Sequence, residues 1–213
     1  MKHPPSVGMK RIVRNILRQT KQWIEEPTAL PDRPLAFNNS YEWIGQAFHL
    51  IEKDPGTNGY QAYIWGVLQG AALAKVLGCP RISVLEFGVA GGRGLVSLER
   101  IAELVEHHTE VGIDVYGFDT GKGLPKPQDY RDVPYMWEEG DFTMDQSALR
   151  ARLKRAQLRL GLVEETVPEF LRTSFAPLGF ISFDVDLYSA TKAKSLDAGC
   201  TAPQSLTTHP MLF

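Results

Sequence analysis

Cysteine is scarce. Cys79 and Cys200 are the two cysteines of this 213-residue chain. They lie far apart, without the paired spacing of a zinc site, and are expected to be reduced thiols of a cytoplasmic protein. Long apolar runs are also missing: no stretch approaches the ~18 residues a membrane span needs. The formal net charge is only -2, so no global basic field is present to recruit nucleic acid or an anionic membrane. Neither is expected as a partner. Acid is absent from the start of the chain, where Lys2, Lys10, Arg11, Arg14, Arg18 and Lys21 precede Glu25. With no apolar stretch among them, this is not a secretory signal. An Arg-rich, acid-poor segment leaves an organelle transit peptide open. The stripe Ile12, Val13, Ile16 and Leu17 favours a surface helix instead.

What is present reads as one soluble globular domain: 43% of residues are hydrophobic and 23% charged, enough apolar content to bury a core. Residues 1–59 form a helical extension and linker, broken by Pro27, Pro31 and Pro34 and by the turn Asp54-Pro55-Gly56-Thr57-Asn58-Gly59, with a short helix around 41–52. Residues 60–190 carry the core. Its first element is a helix over about 60–77, with Gly78 placed for a left-handed cap and Pro80 stopping continuation.

Strands and helices then alternate. Ile82–Phe87 is a short β-branched run that ends at a glycine cluster, and a helix over about 93–108 follows. Asp114–Phe118 is a second strand, ending at Asp119. Residues 120–142 form a long loop with Tyr130, Tyr135, Trp137 and Phe142, which either closes a site as a lid or simply anchors the loop. A helix over 144–155, a third strand over 157–160, a short helix opened by a capping box at Thr166-Val167-Pro168-Glu169, and a fourth strand over 180–183 complete the series. Such alternation predicts an α/β fold, a parallel sheet with helices on both faces.

In such a sheet ligands bind at the carboxyl ends of the strands. The turn after the first strand reads Glu86-Phe87-Gly88-Val89-Ala90-Gly91-Gly92-Arg93-Gly94. Its glycines permit close backbone approach, but their spacing does not match the G-x-G-x-x-G of a pyrophosphate site. Glu86 would repel phosphate and would suit a ligand carrying an ammonium and a sulfonium. Asp119, at the end of the second strand, either accepts the two hydroxyls of a ribose or serves as a turn aspartate. A nicotinamide enzyme is disfavoured by the glycine order.

These residues resemble the class I S-adenosylmethionine-dependent methyltransferases, and within them the macrocin O-methyltransferase-type group. The resemblance is carried by Glu86–Gly92, Tyr116–Asp119 followed by Gly123-Leu124-Pro125, Glu165–Pro168, and Phe183–Tyr188. It implies a Rossmann-like sheet and S-adenosylmethionine as cofactor. Glu86, Gly88, Ala90, Gly91 and Gly92 would line the methionine and ribose part, with Ala90 standing where members often carry glycine. Asp119 would hold the ribose hydroxyls, and Asp141 would substitute for the acid that often lies near the adenine. Asp184 would be one ligand of a Mg²⁺ ion that orients an acceptor hydroxyl, the alternative being a strand-end acid in solvent with Asp186.

The implied activity is O-methylation of a small hydroxylated acceptor. The alternative is a cofactor-binding relic or regulatory partner without catalysis. Residues 191–213 lack a helical stripe or a strand run, so the family's remaining strands are expected to be missing. The fourth strand would then be an open edge, prone to pairing, which leaves a homo-oligomer open.

Overall fold

The computed structural model describes residues 40–191. The N-terminal helical stripe at 11–18 and the tail beyond 191 lie outside the described residues. Within them run α1 (Ser40–Ile51), α2 (Gln61–Val76), β1 (Arg81–Phe87), α3 (Arg93–Thr109), β2 (Gly112–Asp119), α4 (Gln146–Arg152), β3 (Gln157–Leu160), α5 (Val163–Phe170), β4 (Leu178–Phe183) and α6 (Tyr188–Thr191). No described helix is long and apolar enough to cross a membrane.

The four strands form one parallel sheet in the order β3-β2-β1-β4. The chain moves outward from β1 to β3, then returns to the other side of β1. The order therefore reverses between β1 and β4, where open sheets form their ligand crevice. Helices cover both faces, as the alternation predicts: this is a Rossmann-like α/β arrangement. β3 and β4 are the edges of the described sheet.

Alternation along β1 sorts two cores. Ile82 and Val84 join a cluster with Ile44, Ile64, Leu68 and Leu98 from α1, α2 and α3. Leu85 and Phe87 join Tyr116, Phe118, Val167 and Phe170 on the face covered by α5. The short helix α1 thus shares a core with the strands. Within β1, Glu86 continues the Ile82–Val84 face, pointing towards α2 and α3.

Helix α2 ends as its sequence predicts. Gly78 takes φ 71°, its N–H donates to Lys75 O, and the Cys79 N–H donates to Ala74 O, a Schellman closure. The expectation for α5 needs correction. Thr166 does not cap this helix; Val163 opens it, after Leu162, and Thr166 Oγ1 donates back to Leu162 O at 3.1 Å. Glu164 and Glu165 in the first turn suit the positive end of the helix dipole. Pro168 sits inside the helix and, lacking an N–H, cannot bond the Glu164 carbonyl.

Helix α4 is shorter than its apolar spacing implies. Asp145 caps it by accepting from the Ala148 N–H at 3.0 Å, and it stops when Leu153 turns extended. The buried carboxylate of Glu99, on α3, then accepts from the backbone N–H groups of Lys154, Arg155 and Ala156. This carboxylate fixes where β3 begins.

Candidate functional site

At the carboxyl ends of the strands lies a cavity of about 970 Å³. The turn after β1 forms its floor. Gly88 takes φ 87° and Gly92 φ 77°; Ala90 is left-handed too, at φ 46°. A Cβ on Gly88 would collide with the Asp184 backbone carbonyl, so only glycine lets the tips of β1 and β4 approach this closely. Leu149 of α4 packs under Gly92, and Arg152 donates to Gly91 O at 3.0 Å, so α4 braces the turn from below.

Asp119 ends β2 and organises this turn. Its Oδ2 accepts from the Val89 and Ala90 N–H groups at 2.8 and 3.0 Å, and its Oδ1 accepts from the Gly121 N–H at 2.6 Å. Asp119 is thus a turn aspartate, and it also lines the cavity.

Glu86 is only 1% exposed and also lines the cavity. Oε1 accepts from the Tyr63 hydroxyl at 2.9 Å. Oε2 is buried and has no hydrogen-bond partner among the described residues. Burial pushes the Glu86 carboxyl up to about 8; the Tyr63 hydrogen bond opposes this, while the nearby charges of Asp184 and Asp119 add to it. Gly94, in the first turn of α3, leaves the room in which Oε1 sits, since a Cβ there would collide with it.

The structure brings Glu86, Gly88, Ala90, Gly91, Gly92, Asp119 and Asp184 together in the lining of one cavity, with the Asp184 backbone packed against Gly88 and its N–H donating to Phe87 O at 2.8 Å. It does not bring Asp141 there. That carboxylate closes a local turn by accepting from the Glu138 N–H at 2.8 Å, and its neighbour Phe142 lines the cavity instead. After β3, Gly161, Leu162, Val163, Glu164 and Glu165 also line the cavity. Of the loop aromatics, Tyr130 and Tyr135 are 82% and 87% exposed, and Phe142 reaches the cavity with its ring 5.5 Å from that of Trp137.

Asp184 and Asp186 share one wall, and burial followed by the Asp184 charge raises the Asp186 carboxyl above its ordinary range. Among the described residues, however, no group of three or more His, Cys, Asp or Glu side chains is arranged to hold a metal ion. A Mg²⁺ site wants several oxygen donors, so the expected ion does not fit what these residues offer.

Sequence reasoning missed Tyr63 and Ser182. Ser182 pairs in register with Glu86 across β1 and β4 and donates to the Tyr63 hydroxyl at 2.9 Å. The two-residue period of β4 was readable; the adjacency of β4 to β1 was not.

No family model matches the chain, and no curated protein matches it. Among solved structures, the crystal structure of CalS11, a calicheamicin methyltransferase, is similar to it at 25% identity and a TM-score of 0.46, over 71% of this chain and 69% of that one.

Proposed function

We propose that this chain binds S-adenosylmethionine in the cavity at the β1–β4 crevice and acts as a methyltransferase on a small hydroxylated molecule. One observation carries the reading: a buried glutamate whose second oxygen has no partner among the described residues, placed in the wall of a roomy cavity. An unpaired buried acceptor is costly and is expected to meet a donor when the site is used. A cationic donor answers it best, because it also favours the ionised carboxylate. A pyrophosphate would face Glu86, Asp119 and Asp184 together, which argues against a dinucleotide.

The residues divide the work by position. Glu86 would receive the amino-acid ammonium. The turn from Gly88 to Gly92 lets the ligand lie close to the backbone. Asp119 keeps lone pairs beyond those used by the turn and would accept from the ribose hydroxyls. Leu162 and Val163 offer an apolar wall to the adenine. When bound, the cofactor supplies an electrophilic methyl group on sulfur. Asp184, beside the turn at the tip of β4, and Asp186 also line the cavity and would face the acceptor. No step is assigned to a metal ion. Asp141 is proposed to act only through the turn that carries Phe142.

The test is transfer of label from methyl-tritiated S-adenosylmethionine to a panel of small phenols, sugars and hydroxylated metabolites, with Glu86→Ala as the control. Transfer that Glu86→Ala abolishes supports the reading. Cofactor binding with no transfer to any acceptor supports the second reading, a non-catalytic cofactor-binding chain.

A further inference from the structure

The Glu86 carboxylate is held by residues distant in sequence. Tyr63 comes from α2 and Ser182 from β4, while Glu86 is the penultimate residue of β1. Ser182 Oγ donates to the Tyr63 hydroxyl at 2.9 Å, and that hydroxyl donates to Glu86 Oε1 at 2.9 Å. A phenol has a single proton to give. With Ser182 on its acceptor side, the Tyr63 proton is directed at Glu86. The Tyr63 ring is itself fixed, tilted against Tyr60 at 5.1 Å and Phe180 at 5.5 Å. Oε1 is thereby satisfied from inside the protein, and Oε2 is left over.

We propose that Tyr63 is a positioning residue for the ligand: held by Ser182, it occupies Glu86 Oε1 and leaves Oε2 as the one carboxylate oxygen offered to the amino-acid ammonium. The assignment rests on the cofactor reading above. It explains why a polar trio sits on a sheet face otherwise packed with Ile82, Val84 and Phe180. A carboxylate free to rotate would share its charge between two oxygens and two directions; one pinned by a neutral donor presents a fixed acceptor. The groups facing Glu86 are Tyr63 and Tyr60 from the α2 side, Asp119 from β2 and Asp184 from β4; Arg93 at the start of α3 and Asp184 act on Tyr60 in turn. Tyr63 is the group among them that favours the ionised carboxylate by direct hydrogen bonding.

Two measurements on the full chain test this. The first needs no ligand: the Glu86 carboxyl carbon is titrated by ¹³C NMR and assigned by its loss in Glu86→Gln. Tyr63→Phe removes a donor to the charged form, so the Glu86 midpoint is expected to move upward; Ser182→Ala is expected to move it the same way by less. The second is calorimetry with S-adenosylhomocysteine and with 5′-methylthioadenosine, which lacks the amino-acid moiety. Tyr63→Phe is expected to weaken S-adenosylhomocysteine about tenfold while leaving methylthioadenosine within about twofold.

An unmoved Glu86 midpoint, or equal losses for both ligands, overturns the assignment. Should Tyr63→Phe fail to fold, Ser182→Ala carries both measurements. Wild-type protein that binds neither ligand defeats the cofactor reading, and with it the ammonium role, whereas the NMR titration still decides whether Tyr63 holds Glu86.

Discussion

Asp119 Oδ2 accepts a 3.0 Å hydrogen bond from the N–H of Ala90, a residue held in the left-handed region at φ 46°. A carboxylate at the end of one strand thus stabilises an unfavourable backbone conformation after its neighbour. For a residue with a Cβ that conformation costs about 1–2 kcal/mol. Ala90→Gly is expected to remove most of this cost and raise stability by up to about 1 kcal/mol after the added chain entropy of glycine. Asp119→Ala frees the amides of Val89, Ala90 and Gly121 and is expected to lower stability by about 2 kcal/mol. Urea denaturation of both variants checks the pair, and destabilisation by Ala90→Gly would contradict the strain argument.

Gly88→Ala is a harsher test of the crevice. The new Cβ meets the Asp184 carbonyl while the residue sits at φ 87°, so the tips of β1 and β4 must separate. A loss of at least about 2 kcal/mol is expected, together with loss of S-adenosylhomocysteine binding. Gly91→Ala serves as the comparison, because nothing lies within 4 Å of a Cβ there. Equal behaviour of the two variants would contradict the close approach.

Stability should fall as pH rises, because of Glu86. Its carboxyl is raised from the ordinary glutamate range to about 8. Between those limits the unfolded chain has lost this proton while the native chain still holds it. The native state binds more protons, so unfolding becomes easier with rising pH, and the loss is complete above about 8. Relative to Glu86→Gln, which cannot ionise, the wild type is expected to lose on the order of 4 kcal/mol between pH 4.5 and pH 9. Denaturation curves of both proteins across that range decide it; parallel pH dependences would show that Glu86 is already ionised in the native state.

Much of this fold was legible because its strands announce themselves locally. The β-branched run before Gly88 and the strand before Asp119 each end at a residue that lines the cavity, so Glu86, the glycine turn and Asp119 could be placed at strand ends. The capping box at Thr166 misled because the same residues serve inside a helix that begins at Val163, where Thr166 bonds its own backbone. Asp141 misled because a short acid after glycine closes a turn as readily as it meets a ligand. Tyr63 and Ser182 depend on strand order: only the return of β4 beside β1 brings residues 119 positions apart into hydrogen-bond contact.

Glu99 offers a prediction away from the cavity. Its carboxylate gathers the amides of Lys154, Arg155 and Ala156, so Glu99→Ala leaves three donors at the start of β3 without their acceptor. A loss of about 2–3 kcal/mol is expected. Hydrogen exchange should show protection falling at 154–160 before it falls in β1. Uniform loss of protection across the sheet would contradict a local anchoring role.

The central claim is that the cavity between β1 and β4 takes a cationic adenosyl ligand and not a dinucleotide. Isothermal calorimetry of the full chain with S-adenosylhomocysteine and with NAD tests it most directly. The account predicts saturable binding of S-adenosylhomocysteine, weakened at least about tenfold by Glu86→Gln, and no heat from NAD. Binding of NAD, or S-adenosylhomocysteine binding that Glu86→Gln leaves unchanged, would contradict it.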